Sequence, residues 1–88
     1  QEELQSYLSP MIQGLLKMKI EEEAQEISIK ESDKEFIARF YSYCIVGLLI
    51  DWVKDDMKES PELLSDKMNE IMDGCIHRAL KRFEIHQN

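Results

Sequence analysis

Seven consecutive residues without a polar side chain, at positions 44–50, constrain the fold of this chain more than any other feature. Successive residues of a helix are turned by about 100°, so a helical run of this length is apolar around its whole circumference. The apolar pattern extends over residues 36–53, which is longer than a typical strand, and charged residues bound it. The run therefore predicts a helix that other structure must cover on every side.

The whole chain shows helical periodicity, and its three glycines and two prolines leave little room for strands. We predict helix A over residues 2–27, helix B over 33–57 and helix C over 61–83, followed by a frayed tail at 84–88. The fold class is therefore all-α, a three-helix antiparallel unit in which helices A and C cover one side of helix B. The other side needs a second molecule or a further part of the same protein.

Short polar motifs predict where the helices begin. The sequence from Ser32 to Glu35 forms a capping box, in which the two side chains satisfy the first free N–H groups of helix B. Ser60, followed by a proline, predicts the start of helix C. Ser9 is also followed by a proline, which leaves two alternatives open: the helix begins there, or a kink divides helix A.

The length of 88 residues allows one domain, and the net charge of −7 limits its partners. Binding to nucleic acid or to an anionic membrane surface needs a basic face, so neither is expected of this chain. No apolar run approaches the roughly 20 residues of a membrane-spanning helix, and no signal peptide opens the chain. Because the first residue is Gln1 and not Met, we expect a piece of a longer protein. Since no secretory signal is found, we expect that protein to be cytoplasmic.

No pattern in the sequence predicts catalysis, a cofactor or a metal centre. The three glycines are isolated, which does not make a phosphate-binding loop. Asp73 and His77 have the spacing of two metal ligands on one helix face, but a solvent-exposed pair is the simpler interpretation. Cys44 and Cys75 are expected as two buried, reduced thiols. Asp51 either contacts a partner or marks the emergence of helix B into solvent, and the second interpretation is favoured.

Aromatic side chains concentrate on helix B. Four of them could line a pocket for a small molecule, although each could equally belong to the core or to an interface: Phe36, Phe40, Tyr41 and Tyr43. Gly47 and Gly74 each interrupt a strong helical pattern at a cost of about 1 kcal/mol relative to Ala, which is consistent with a close helix crossing.

Two segments of the sequence resemble the last two helices of TetR/AcrR-type transcriptional regulators. The first, residues 40–52, combines an aromatic stretch with the spacing of Gly47 and Trp52, which four residues separate. The second, residues 57–64, contains the Ser-Pro-Glu sequence that starts the final helix. The resemblance covers residues 33–80, and helix A is compatible with it without carrying a distinctive motif.

The resemblance implies that residues 1–88 are the C-terminal effector-binding and dimerisation domain of a TetR-like repressor, without its N-terminal helix-turn-helix domain. In that family the last two helices of each subunit pack into a four-helix bundle across a homodimer, and DNA is bound only through the N-terminal domain. A small-molecule effector of unknown identity is also implied. A helical adaptor that binds a partner helix and no small molecule is the alternative. The dimer contacts expected in helices B and C are Gly47, Leu48, Ile50, Leu64, Met68, Ile71, Cys75 and Ile76.

Overall fold

The computed structural model describes residues 2–85 of the chain, and these residues form helices without any strand. The four helices are α1 (Glu2–Glu23), α2 (Glu31–Lys54), α3 (Pro61–Met72) and α4 (Cys75–Arg82). The all-α fold predicted from the sequence is confirmed. Helices A and B correspond to α1 and α2, whereas helix C is present as the two segments α3 and α4.

α1 and α2 form an antiparallel hairpin whose inner faces carry most of the core. Lys34 Nζ of α2 lies 2.9 Å from Glu21 Oε1 of α1, and this hydrogen bond raises the pKa of Lys34. α4 closes the core by packing its Ile76 and Leu80 against both long helices. The core cluster consists of Leu16, Ile20, Ala24, Ile27, Ile37, Ala38, Ile76 and Leu80.

The shape of the molecule explains why the core is small. It measures 53 × 26 × 16 Å, and its smallest dimension accommodates two layers of helices, which pack about 8–10 Å apart. Every long helix therefore keeps one uncovered side. Fourteen large apolar side chains of the described residues are exposed, against nine apolar residues that are buried. Apolar surface that is exposed to this extent is more typical of a protein that binds a partner than of one that acts as a monomer.

α2 is long and apolar enough to span a bilayer by length and composition alone. Core helices of soluble proteins pass the same test when they are mostly buried, whereas 22% of the apolar window of α2 is buried. Its Ile37, Ala38, Ser42 and Val46 are buried within the chain.

The start of α2 differs from the predicted capping box. α2 begins at Glu31 and is preceded by Lys30, whose side chain makes no capping hydrogen bond. The carbonyl of Lys30 accepts the N–H groups of Asp33 and Lys34, each at 3.1 Å, so the first turn is complete before Ser32 could cap it. The prediction of a Ser32 cap was therefore wrong by two residues. In α1, Pro10 lies inside one continuous helix, so the chain does not begin a new helix there.

Gly74 divides the predicted helix C. Its φ of 77° is left-handed, a conformation that residues with a side chain adopt at a cost, and it ends α3 and leads into α4. The predicted start of α3 is confirmed, because Ser60 Oγ accepts the N–H of Leu63 at 3.1 Å. Of the predicted tail, residues 86–88 lie outside the described residues. Its first part is held in place, since the N–H of Ile85 donates to the carbonyl of Ser28 at 2.7 Å.

Candidate functional site

α3 differs from the other helices because it buries none of its residues. Its backbone comes close to that of α4 alone, so a space remains between α3 and the long helices. This space is a partly open cavity of about 660 Å³, which lies within the range of small-molecule sites. Its apolar lining consists of Ile12, Leu16, Ile45, Leu49, Trp52, Pro61, Leu64, Met68, Met72 and Ile76.

The cavity has an apolar end and a polar end. Leu49 and Trp52, from the end of α2, and Leu64, from the start of α3, line the apolar end. At the other end, the last turn of α1 and the α3–α4 junction bring polar groups together. These polar lining residues are Lys19, Glu23, Asn69, Asp73 and His77, with Ser65 between the two ends.

The charges at the polar end are unevenly paired. The Glu23 carboxylate forms an ion pair with Lys19, whose Nζ lies 3.7 Å away, and its other oxygen lies 3.7 Å from His77 Nδ1. Within residues 2–85, no cationic group lies within the 4.0 Å ion-pair distance of Asp73. The mouth of the cavity therefore carries one carboxylate that the described chain does not neutralise.

The hydrogen bonds at the start of α3 connect it to α2. Trp52 Nε1 donates to the carbonyl of Glu59 at 2.6 Å, and Lys67 of α3 pairs with the Glu59 carboxylate. Between these elements the chain turns sharply at Asp56 and Met57, with φ of 59° and 53°. The N–H of Met57 reaches back to the carbonyl of Trp52 at 2.9 Å, which is the bond that typically ends a helix in a left-handed turn. α3 is thus held by contacts at its two ends, to α2 through Glu59 and to α4, and none of its residues is buried.

The predicted pocket residues do not line this cavity. Phe36, Phe40 and Tyr43 are exposed on the outer face of α2, and Tyr43 retains 62% of its accessible surface. Tyr41 is half-buried beside the core cluster, and this burial raises the pKa of its hydroxyl group. Phe36 lines a separate, polar groove of about 370 Å³ between α1 and α2. A pocket formed by these four residues stays a prediction.

The predicted dimer residues occupy three different environments, and their role in a dimer also stays a prediction. Ile71 is 75% exposed, and Gly47 and Leu48 are also exposed. Ile50 and Cys75 are half-buried, as are Leu64 and Met68, which line the cavity. Ile76 is 6% exposed and belongs to the core of its own chain.

The remaining candidate residues are on the surface. Asp51 is exposed, as the favoured interpretation predicted. Both cysteines are free, but Cys44 is exposed and Cys75 half-buried, so the prediction that both are buried was wrong. Cys44 is exposed because the circumference of α2 exceeds what α1 and α4 cover.

Two further expectations concern a metal site at Asp73 and His77 and a close helix crossing at the glycines. Asp73 ends α3 and His77 lies in α4, so the two side chains do not share one helix face. In residues 2–85, no three His, Cys, Asp or Glu side chains are grouped to hold a metal ion. A Cβ atom added at Gly47 or Gly74 would meet no atom within 4 Å, so neither glycine supports a close crossing within the chain.

Comparison with known families agrees with this architecture. Residues 1–74 match a TetR-type family described as transcriptional regulator C-terminal region. The chain belongs to this family. The matched region includes α1, α2 and α3 and ends at Gly74, so α4 lies beyond it. No curated protein and no solved structure matches the chain. The TetR/AcrR resemblance drawn from residues 33–80 is therefore confirmed at the level of the family, whose members are transcriptional regulators.

Proposed function

We propose that this chain is the ligand-sensing and homodimerisation domain of a cytoplasmic TetR-like repressor. Operator DNA is then bound by a helix-turn-helix domain outside residues 1–88, in keeping with the net charge of −7. The domain has no catalytic role in this proposal. Its tasks are to hold two subunits together and to make their arrangement depend on a small molecule.

The outer face of α2 carries the dimer part of the proposal. Apolar residues recur there at alternating spacings of four and three, which is the seam pattern of packed helices. Phe40, the second residue of this seam, is 56% exposed although it belongs to the most apolar helix of the described chain. We call these residues the α2 stripe: Phe36, Phe40, Tyr43, Gly47 and Ile50.

A second copy is the occupant that best suits the α2 stripe. Exposed aromatic anchors contribute most when a partner removes them from water, and the glycine at the centre leaves room for another backbone. Gly47 has open space where a Cβ would lie, so its lack of a side chain is not explained by packing within one chain. In this arrangement Phe36, Phe40 and Tyr43 contact the second subunit, and the effector occupies the cavity on the opposite side of α2.

The same helix then links effector and dimer. Ile45, Leu49 and Trp52 face the cavity from the inner side of α2, while the α2 stripe lies on its outer side. A ligand that favours one placement of α2 shifts the dimer toward that arrangement. The size of the shift is set by the difference in ligand affinity between the two arrangements. Operator release follows when the favoured arrangement changes the distance between the two DNA-binding domains.

Sedimentation equilibrium over a dilution series tests the dimer. We expect a mass near twice 10.4 kDa for the natural sequence and a monomer for Phe40→Glu, because a carboxylate in the seam loses its hydration. Met18→Glu is the matched control. Met18 is likewise exposed, but it lies on the outer face of α1, so its substitution adds the same charge without touching the α2 stripe.

The outcome separates the proposal from its alternative. A folded chain that remains monomeric at every concentration contradicts the homodimer and favours an adaptor whose α2 stripe binds a different helix. Dissociation by Met18→Glu instead of Phe40→Glu would place the interface on α1.

A further inference from the structure

The cavity beneath α3 has a shape and a charge distribution that define a class of ligand. From Leu64 to Asp73 the chain runs nine residues along α3, about 14 Å at the rise of an α-helix. Over this length the lining changes from Trp52 and leucine side chains to carboxylates, an amide and an imidazole. A molecule that fills it must be elongated, with an apolar body and a polar head.

The charge of the head follows from the pairing at the polar end. The ion pair of Glu23 with Lys19 leaves no net charge. The Asp73 carboxylate has no such balance within the described chain and lies at the cavity mouth. An anionic head placed there would meet a like charge, whereas a cationic head would form a new ion pair.

We infer that the cavity binds an amphipathic organic cation, with its apolar body toward Trp52 and its ammonium or similar head toward Asp73. This inference rests on the proposed ligand-sensing function and specifies its site and its ligand class. α3 forms one wall of the cavity and is anchored only at its two ends. Because the cavity is partly open, entry of the ligand requires no opening of the core formed by Ile20 and Leu80.

Trp52 provides a direct measurement, because it is the one tryptophan of the chain and lines the apolar end. Three probes with the same decyl tail differ only in the head: decyltrimethylammonium, decyl sulfate and decanol. The two ionic probes are used below their micelle-forming concentrations, and decanol below its solubility limit. We expect saturable changes in Trp52 fluorescence, with the tightest binding for decyltrimethylammonium and the weakest for decyl sulfate.

Two substitutions locate the site. Asp73→Asn is expected to weaken decyltrimethylammonium binding about two- to five-fold and to leave decanol binding unchanged, since one partly solvated ion pair is lost. Asp66→Asn is the matched control, because it removes the same charge from an exposed position on α3 outside the cavity. Ser65→Phe adds bulk to an exposed lining position and is expected to weaken binding of all three probes roughly ten-fold or more.

Each result decides between distinct conclusions. Equal affinity for the three heads, or equal effects of Asp73→Asn and Asp66→Asn, overturns the cationic ligand class. Unchanged Trp52 fluorescence with every probe overturns the cavity as the site, even if sedimentation shows the dimer. Conversely, selective binding of the cation by a chain that sediments as a monomer supports this inference and contradicts the dimer in the proposed function.

Discussion

The unit formed by α1, α2 and α4 differs sharply from α3. Together with the connection that follows α1, the first contains every buried residue of the described chain, including Ile20 and Leu80 without any accessible surface. α3 has none, although five of its twelve residues are large and apolar. The difference indicates that stability resides in the three-helix unit, whereas α3 shapes the cavity and completes no core. Stability and ligand binding can therefore be perturbed separately, and three substitution pairs test that separation.

The largest effect is expected from truncating the core of the three-helix unit. Leu80→Ala should lower the free energy of unfolding by about 2–5 kcal/mol, because it leaves a cavity among packed side chains. Ile71→Ala, at the most exposed large residue of α3, should change it by about 0.5 kcal/mol or less. Urea unfolding measures both. Comparable losses for the two variants would mean that Ile71 is covered in solution, as its predicted place in a dimer interface requires.

A smaller effect is expected at the junction between the two regions. Gly74→Ala should cost about 1–2 kcal/mol, since alanine disfavours the left-handed conformation found there. Gly14→Ala should instead stabilise by about 0.5–1 kcal/mol, because Gly14 is helical, exposed and free of neighbours at the Cβ position. Thermal unfolding distinguishes the two signs. Stabilisation by Gly74→Ala would show that α3 and α4 form one continuous helix in solution.

The smallest effect concerns the tether of α3. Trp52→Phe removes the indole N–H that donates to Glu59, and we expect a cost of about 0.5–1.5 kcal/mol. Hydrogen exchange should accelerate at residues 61–72 and remain unchanged at residues 16–20 in the core. Tyr43→Phe, which removes a polar atom from an exposed ring of the same helix, should leave both segments as they were. Equal acceleration in both segments would contradict the independence of α3.

The sequence predicted the fold where a single physical requirement decides the local structure. Apolar periodicity predicted the helices, and Ser60 before a proline, after a polar stretch, predicted a helix start. The structure has both. The prediction failed where two requirements compete. Around Gly74 the spacing of apolar residues favours a continuous helix. The glycine permits a left-handed break, which that spacing does not predict. At Ser32 a good capping box was available, but the backbone completed the turn earlier.

The candidate site was less predictable, because it depends on distances between helices. Leu64 and Met68 carried a recognisable apolar spacing, yet that spacing is equally suited to a core, an interface or a cavity wall. Only the separation of α3 from the long helices makes them cavity residues. The polar end required Asp73, Glu23 and His77 to meet from three helices, which the sequence does not encode in any local motif.

The absence of buried residues in α3 has an evolutionary consequence. Substitutions at Leu64 and Met68 alter a wall of the cavity without removing an atom from the core cluster, so we expect them to cost less stability than substitutions at Ile20 or Leu80. Proteins that descend from one ancestor can therefore diverge in the molecule that they bind, while Ile20 and Leu80 keep each of them folded. One wall of the ligand-binding cavity is thus free to vary while the core that it adjoins stays constant.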